Sequence, residues 1–198
     1  MGILKGRTSP MITYRNILDV SPDVRGLVRL WRNSPRVRLR MLNQEVISEE
    51  QHARWLGSLA DGGSLAGGRS EVRVAFSDGT PFGVISLKDV DSNSMVCDWG
   101  FYVGEEAFLR RGLGRRLLYD LHEWGFAERG MRKMYTAVLS DNHGALLVEL
   151  EAGNKIEGLL RDHVRTPSGA LVDVYLIAQF SAEWTARREA LSTWARIE

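Results

Sequence analysis

The sequence FLRRGLGRRLL, residues 108–118, carries two glycines where a predicted strand passes into a predicted helix. The strand covers residues 94–103, and the helix covers 112–126, with an apolar stripe formed by Leu113, Leu117, Leu118, Leu121 and Trp124. Gly112 and Gly114 allow a tight turn that brings successive backbone N–H groups close to a ligand. Because those groups lie at the positive end of a helix dipole, they form a site suited to a pyrophosphate.

Positive charge surrounds this turn, contributed by Arg110, Arg111, Arg115 and Arg116. The spacing differs from the dinucleotide fingerprint, and no Lys-Ser or Lys-Thr pair follows to make a P-loop. By itself the stretch is also compatible with an ordinary strand–helix turn that has a solvated basic face. Binding to nucleic acid is disfavoured, because the net charge is only +1 and the turn is flanked by Glu105, Glu106 and Asp120.

The composition is that of an ordinary globular protein of 198 residues, 44% of them hydrophobic and 26% charged. We predict one domain over residues 1–180 and a C-terminal helical extension over 181–198. The single cysteine, Cys97, excludes an internal disulfide and a zinc site built from several cysteines, and we expect no metal. We see neither a signal peptide nor a run of about 20 apolar residues, so we expect a cytoplasmic protein without a membrane partner.

Caps, turn signals and hydrophobic periodicity predict a mixed α/β chain. The predicted elements are a strand at 11–18, helices that open at Ser21-Pro22 and Ser48, strands at 71–77, 81–87 and 94–103, a helix at 112–126, a strand at 133–139, a helix at 141–153, and strands at 156–165 and 170–180. A Gly/Ser-rich connector is predicted over 60–70. This order implies a mixed central sheet of about seven strands with helices on both faces, in which strands 94–103 and 133–139 run parallel.

One face of strand 94–103 is apolar and carries Met95, Cys97, Trp99, Phe101 and Val103. Cys97 is therefore predicted to be a core residue and not a catalytic thiol, since nothing nearby would lower its pKa. Tyr102 lies on the opposite face of the same strand.

The order of elements and the glycine turn resemble the GNAT superfamily of acetyltransferases over nearly the whole chain. The family's phosphate loop has the pattern Gln/Arg-x-x-Gly-x-Gly/Ala; Gly112 and Gly114 match it, whereas Leu109 takes the first position. The resemblance implies that acetyl-CoA is the acetyl donor. It also implies that the donor's phosphates are bound by Leu109, Arg110, Arg111, Gly112, Leu113, Gly114 and Arg115.

In this superfamily, the strand before the loop and the strand after the helix separate, and the pantetheine arm lies in the gap. The resemblance therefore implies that main-chain groups from Phe101 to Val103 bind the arm and polarise the thioester carbonyl. Asn142 matches an Asn that commonly contacts the arm, although it is equally suited to cap the following helix.

A narrower resemblance links the chain to enzymes that acetylate UDP-4-amino-4,6-dideoxy-N-acetyl-β-L-altrosamine in pseudaminic acid synthesis. It rests on LWRNSPRVRLRMLNQEVISEEQHARWL (30–56), GVISLKDVD (83–91), DWGFYV (98–103) and EGLLRDHV…GALVDVYL (157–176). It implies an N-acetyltransferase that acts on the 4-amino group of a UDP-linked sugar. The matching positions make acceptor-site candidates of Arg32, Met41, His52 and Tyr102.

Each acceptor candidate also has an ordinary structural interpretation. Arg32 is suited to a UDP phosphate or to a solvated helix end, and Met41 to the sugar's 6-methyl group or to the core. His52 is suited to the nucleotide or to an exposed helix face. Tyr102 is suited to stacking on the uracil or sugar, or to the edge of the core.

The implied mechanism is direct attack of a neutral amine on the thioester in a ternary complex. In the superfamily a Tyr in the fourth helix commonly protonates the leaving thiolate, within a Leu-Tyr-Glu-Lys-Leu-Gly-Phe run. Here Glu149 takes the Tyr position and Asn154 the Phe position. Glu149 can serve as the acid only if burial raises its pKa; a bound water, or a surface carboxylate without a chemical role, are the alternatives. Tyr102 and Glu149 are thus the catalytic candidates.

Two other functions remain compatible with the sequence. One is acetylation of a protein N-terminus or of a ribosomal protein, and the other is a non-catalytic acetyl-CoA-binding module. The protein is expected to be a monomer or a homodimer.

Overall fold

A computed structural model describes residues 10–62 and 69–197 of the chain. Its strands are β1 (Ile12–Asn16), β2 (Arg69–Ser77), β3 (Thr80–Asp91), β4 (Val96–Val103), β5 (Lys133–Leu139), β6 (Lys155–Arg165) and β7 (Leu171–Phe180). Its α-helices are α1 (Pro22–Asn33), α2 (Pro35–Arg38), α3 (Glu49–Ala60), α4 (Leu113–His122), α5 (His143–Glu151) and α6 (Ser181–Trp194). Most of the predicted connector at 60–70, namely residues 63–68, lies outside the described residues.

Within the described residues, seven strands form one sheet in the order β1-β2-β3-β4-β5-β7-β6. Neighbouring strands are antiparallel except β4 and β5, which run parallel. The predicted mixed sheet and the predicted parallel pair are therefore confirmed.

The first helices begin where their capping residues predict. The Ser21 side chain accepts a hydrogen bond from the Val24 N–H, and Pro22 occupies the first turn of α1. Ser48 and Gln51 form both hydrogen bonds of a capping box at the start of α3. The short helix α2 was not predicted; Pro35 cannot donate a backbone hydrogen bond to α1 and instead opens a new turn.

The helix predicted over 112–126 starts as expected, but its α-helical part ends at His122. A π-helical turn, Glu123–Glu128, follows and still buries Trp124 and Phe126. Within this turn, a Cβ on Gly125 would lie 2.2 Å from the Met134 sulfur. Glycine therefore permits the close approach between this turn and β5.

Both faces of the sheet are covered by helices. On one face, β3 and β4 pack against α4 and α6, with Trp99, Leu117 and Trp184 buried in the same cluster. On the other face, β2 packs against α1 and α3 through Val74, Trp31 and Leu59, among other residues. The helix predicted beyond residue 180 is present and shares the larger cluster.

Cys97 lies in the larger cluster and is fully buried. Burial raises the pKa of its thiol to about 12, so the thiolate is scarce at neutral pH. The structure confirms the prediction of a core cysteine.

β4 and β5 pair at only three positions, Val96↔Lys133, Cys97↔Met134 and Asp98↔Tyr135. Beyond Asp98 the two strands separate. β4 stays paired with β3 as far as Val103, and β5 stays paired with β7 as far as Leu139. The gap implied by the superfamily resemblance is therefore present.

We expect Gly104→Ala to destabilise the fold. A Cβ at this position would lie 2.2 Å from the buried Trp31 ring, which holds α1 beside the end of β4. Overpacking of this kind costs about 1–3 kcal/mol in the free energy of unfolding, which urea denaturation measures. Gly26→Ala is the matched control, because its Cβ meets nothing within 4 Å. Equal stability of the two variants would contradict the assigned packing.

Candidate active site

A cleft of about 360 Å³ lies where β4 and β5 separate. Its walls come from β4 and β5, from α5, from the start of α4 and from α2. Phe101, Tyr102 and Val103 line it on the β4 side, while Thr136 and Val138 line it on the β5 side. From Trp99 to Val103, β4 has no strand partner on this side among the described residues. An extended ligand with amide groups can therefore pair with the edge of β4.

The glycine turn closes one end of this cleft through Leu109 and Gly114. Gly112 precedes α4 with a φ of 75°, in the left-handed region that favours glycine. A Cβ on Gly114 would meet no atom within 4 Å, so open space lies beside it. The first N–H groups of α4 have no partners within their own helix, a geometry that is suited to binding an anion.

Several side chains of the turn make contacts within the protein itself. Leu113 is buried in the main core, so only its backbone can reach a ligand. Arg115 donates to Glu151 at 2.8 Å, and Arg116 donates to Asp120 at 2.7 Å. The Arg111 guanidinium lies 5.4 Å from the centre of the Phe108 ring, whereas Arg110 has a left-handed backbone. Two of the four arginines are therefore already paired with carboxylates.

Glu149 lines the cleft from α5, and only 2% of its surface is exposed. Trp99 Nε1 donates to its Oε1 at 3.4 Å, and Asn154 Nδ2 donates to its Oε2 at 2.5 Å. Burial raises the pKa of Glu149 to about 8, although both hydrogen bonds act in the opposite direction. The carboxyl is thus mainly protonated at neutral pH, and the alternative of a surface carboxylate is wrong.

Asn142 caps α5 and also lines the cleft. Its side chain accepts a hydrogen bond from the Ala145 N–H at 3.5 Å, as an N-cap of α5. This hydrogen bond holds the Asn142 side chain beside the gap between β4 and β5, where the superfamily resemblance implies that the pantetheine arm binds.

Three of the four acceptor-site candidates lie at or beside the cleft. Tyr102 and Met41 line it. Burial raises the pKa of Tyr102, so its hydroxyl stays protonated at neutral pH. Arg32 lies close enough to Tyr102 for their charges to interact, and its Nη2 donates to the Asn43 carbonyl oxygen at 2.5 Å. Burial lowers the pKa of Arg32, and nearby Arg38 acts in the same direction.

His52 is not among the residues that line the cleft. Its side chain is buried between α1 and α3, where Nε2 lies 3.0 Å from the Arg25 carbonyl oxygen. Its ring also packs 5.2 Å from that of Trp55. The position matches a helix-packing residue, and we leave His52 out of the site.

Two arginines that line the cleft, Arg36 of α2 and Arg40 just after this helix, were not among the candidates from the sequence. Arg36 donates to the carbonyl oxygens of Val103 at 2.9 Å and Gly104 at 2.6 Å. Arg40 donates to the Asp141 carbonyl oxygen at 3.0 Å and forms an ion pair with the Asp141 carboxylate at 3.2 Å. The segment from Pro35 to Met41 therefore connects the end of β4 with the loop after β5. In the sequence, the Ser34-Pro35 pair is the signal that could have predicted a new helix here.

The described residues contain no group of three or more His, Cys, Asp or Glu side chains arranged to hold a metal ion. Among the same residues, no helix has the length and apolar character needed to cross a membrane.

Comparison with protein families matches residues 28–148 to the Acetyltransferase (GNAT) family. Among curated proteins, no significant match was found. A spermidine N-acetyltransferase from Vibrio cholerae, solved with CoA and spermine, superposes with a TM-score of 0.77 at 14% identity. That comparison covers 88% of this chain and 98% of the other.

Two other solved structures share the fold. The N-acetyltransferase PseH from Campylobacter jejuni has a TM-score of 0.62 at 19% identity, covering 86% of this chain and 99% of that one. A GNAT-family acetyltransferase from Streptococcus pneumoniae has a TM-score of 0.65 at 20% identity, with 86% and 99% covered. Since the family match runs from α1 through the glycine turn into α5, this chain belongs to the GNAT family and is an acetyl-CoA-dependent N-acetyltransferase.

Proposed function

We propose that the enzyme transfers an acetyl group from acetyl-CoA to the 4-amino group of a UDP-linked 4-amino-4,6-dideoxy sugar. The observation that carries the proposal is that Tyr102 and Met41 line the cleft that also contains Glu149, and that Arg32 lies beside Tyr102. These acceptor candidates came from the narrower sequence resemblance alone. Their convergence in space is an independent support for a common role.

The donor half of the site is assigned to the backbone around the glycine turn. The N–H groups at Gly112, Leu113 and Gly114 bind the pyrophosphate, with Arg110, Arg111 and Arg115 as charged neighbours. The pantetheine arm extends along the free edge of β4 at Phe101 and Val103, next to Asn142. This placement leads the thioester from the turn toward Glu149.

The acceptor half of the site has an excess of positive charge. Arg32 Nη1 and Arg38 Nε are buried and have no hydrogen-bond partner among the described residues. Buried guanidinium N–H groups without partners are costly, and a diphosphate satisfies them with charge-assisted hydrogen bonds. Met41 then contacts the 6-methyl side of the sugar, and the Tyr102 ring stacks on the sugar or the uracil.

The same charges argue against a polyamine acceptor, despite the higher TM-score of the spermidine enzyme. Near the cleft, α1, α2 and the residues just after α2 carry Arg32, Arg36, Arg38 and Arg40. Only Arg40 among them forms an ion pair within the described residues. A polycation would be repelled by this surface, whereas a nucleotide sugar would be attracted.

The reaction needs a polarised carbonyl and a proton for the leaving thiolate. Main-chain N–H groups from Phe101 to Val103 stabilise the oxyanion formed when the neutral amine attacks. Glu149 donates its proton to the departing sulfur, as its raised pKa permits near neutral pH. The neutral hydroxyl of Tyr102 orients the acceptor.

We expect Glu149→Gln to lower kcat by roughly a hundredfold or more, the usual contribution of a positioned general acid. In the wild type, kcat should fall as pH rises through about 8, because only protonated Glu149 donates. The variant should lose this alkaline limb and keep its affinity for acetyl-CoA. Glu189→Gln, at an exposed position of α6, is the matched control. An unchanged limb in Glu149→Gln would remove Glu149 from the mechanism.

The acceptor is tested by release of CoA in the presence of a UDP-linked 4-amino-4,6-dideoxy sugar, spermidine or a peptide with a free N-terminus. We expect turnover with the nucleotide sugar. Arg32→Ala should raise its KM by roughly 10- to 100-fold, as loss of a charged hydrogen bond implies, while acetyl-CoA affinity stays constant. Arg29→Ala, one turn earlier in α1, serves as control. Turnover with the peptide or spermidine alone would overturn the assigned acceptor.

A further inference from the structure

Asn154 is the second partner of the Glu149 carboxyl. It lies just beyond the end of α5 and comes directly after Gly153. The φ of 94° at Gly153 turns the chain back toward the helix. Only 3% of Asn154 is exposed. Its Nδ2 donates to Glu149 Oε2 at 2.5 Å, and its Oδ1 has no partner among the described residues.

This chain differs from the superfamily's Leu-Tyr-Glu-Lys-Leu-Gly-Phe run at positions 149 and 154, and the two residues at these positions are in direct contact. Glu149 stands where that run has Tyr, and Asn154 stands where it has Phe. A Phe at position 154 could offer no hydrogen bond to a buried carboxyl, and an unpartnered buried carboxyl is costly. The amide at this position removes that cost.

We infer that Asn154 is a positioning residue that holds the Glu149 carboxyl in place both before and after it gives up its proton. This inference rests on the proposed role of Glu149. An amide is suited to both states because it carries N–H donors for an ionised carboxylate and a carbonyl oxygen for a protonated one. Rotation of the terminal amide exchanges the two atoms, which have nearly the same shape.

The proton balance is simple. The C–N bond of the new amide forms as the C–S bond of the thioester breaks, and the attacking amine loses one proton to water. The O–H bond of Glu149 breaks, an S–H bond forms on the departing sulfur, and the negative charge moves to the carboxylate. Asn154 Nδ2 and Trp99 Nε1 then donate to the two oxygens of that carboxylate. Glu149 regains its proton from solvent before the next turnover.

Other ionisable groups lie on the elements packed around the pair: His122 on α4, Glu151 on α5, Lys155 on β6, Arg187 on α6, Arg36 on α2, and Arg40 just after α2. None of them bonds to the Glu149 carboxyl. His122 packs against Trp99, and burial lowers its pKa to about 3, so it is neutral throughout the working range. Changes in the alkaline limb of kcat therefore report on Glu149.

The test compares the pH dependence of kcat in the wild type, Asn154→Leu and Asn154→Asp. Asn154→Leu removes the bond that favours the ionised carboxyl, so the alkaline limb should move upward by roughly one pH unit. Asn154→Asp has nearly the same shape and adds a like charge, so it should move the limb in the same direction. Melting temperature and acetyl-CoA affinity are measured alongside.

Gln179→Leu is the matched control, because Gln179 is another buried amide that donates to the Ala152 carbonyl oxygen at 3.1 Å and not to Glu149. In this variant, the alkaline limb of the kcat profile should stay at the wild-type pH. Introducing Asn154→Leu into Glu149→Gln should also leave the pH profile unchanged. These controls separate an effect on Glu149 from a general loss of packing.

The outcomes distinguish this inference from the proposed function. If Glu149→Gln abolishes the limb but neither Asn154 variant moves it, Asn154 has only a structural role and the inference is wrong. If the limb persists in Glu149→Gln, the acid itself is misassigned and both fail. An upward shift in either folded Asn154 variant supports the inference.

Discussion

The candidate active site depends on the separation of β4 and β5, two parallel strands that pair at only three positions. β4 and β5 exchange hydrogen bonds only near Val96, Cys97 and Asp98, and then each follows its other neighbour. Because β3 holds β4 and β7 holds β5 along their remaining lengths, the gap does not close on itself. An unpaired strand edge is usually a liability, but here it lies inside a cleft and can pair only with a ligand that enters there.

The same geometry explains the state of Glu149. Its carboxyl lies between Trp99 of β4 and Asn154, and no cationic side chain in the described part of the chain compensates its charge. Desolvation therefore decides its protonation, and the group is an acid close to neutral pH. A carboxyl with that pKa can replace the usual tyrosine, provided that its orientation is fixed in both protonation states.

Local signals predicted most of the fold. The caps at Ser21 and Ser48 placed α1 and α3, and alternation along 94–103 identified Cys97 as core. Gly112 and Gly114 predicted the turn before α4. The left-handed backbone of Gly112 favours glycine, and a Cβ on Gly114 would take up the open space beside the helix start. Such features depend on residues close together in the chain.

Features that depend on distant contacts were not predictable in the same way. On α5, Leu147 and Leu150 are exposed while Glu149 is buried, which reverses the usual relation of hydropathy to burial. The bonds that tie Arg36 and Arg40 to the strand ends join residues far apart in sequence. His52 was assigned to the acceptor by position alone, but helix packing directs its side chain elsewhere.

The most direct test of the account is a crystal structure of the chain with CoA bound. It should show the pyrophosphate on the amides of Gly112 to Gly114, the pantetheine arm between β4 and β5, and the sulfur next to the Glu149 carboxyl. CoA bound elsewhere, or a sulfur atom directed away from Glu149, would contradict it.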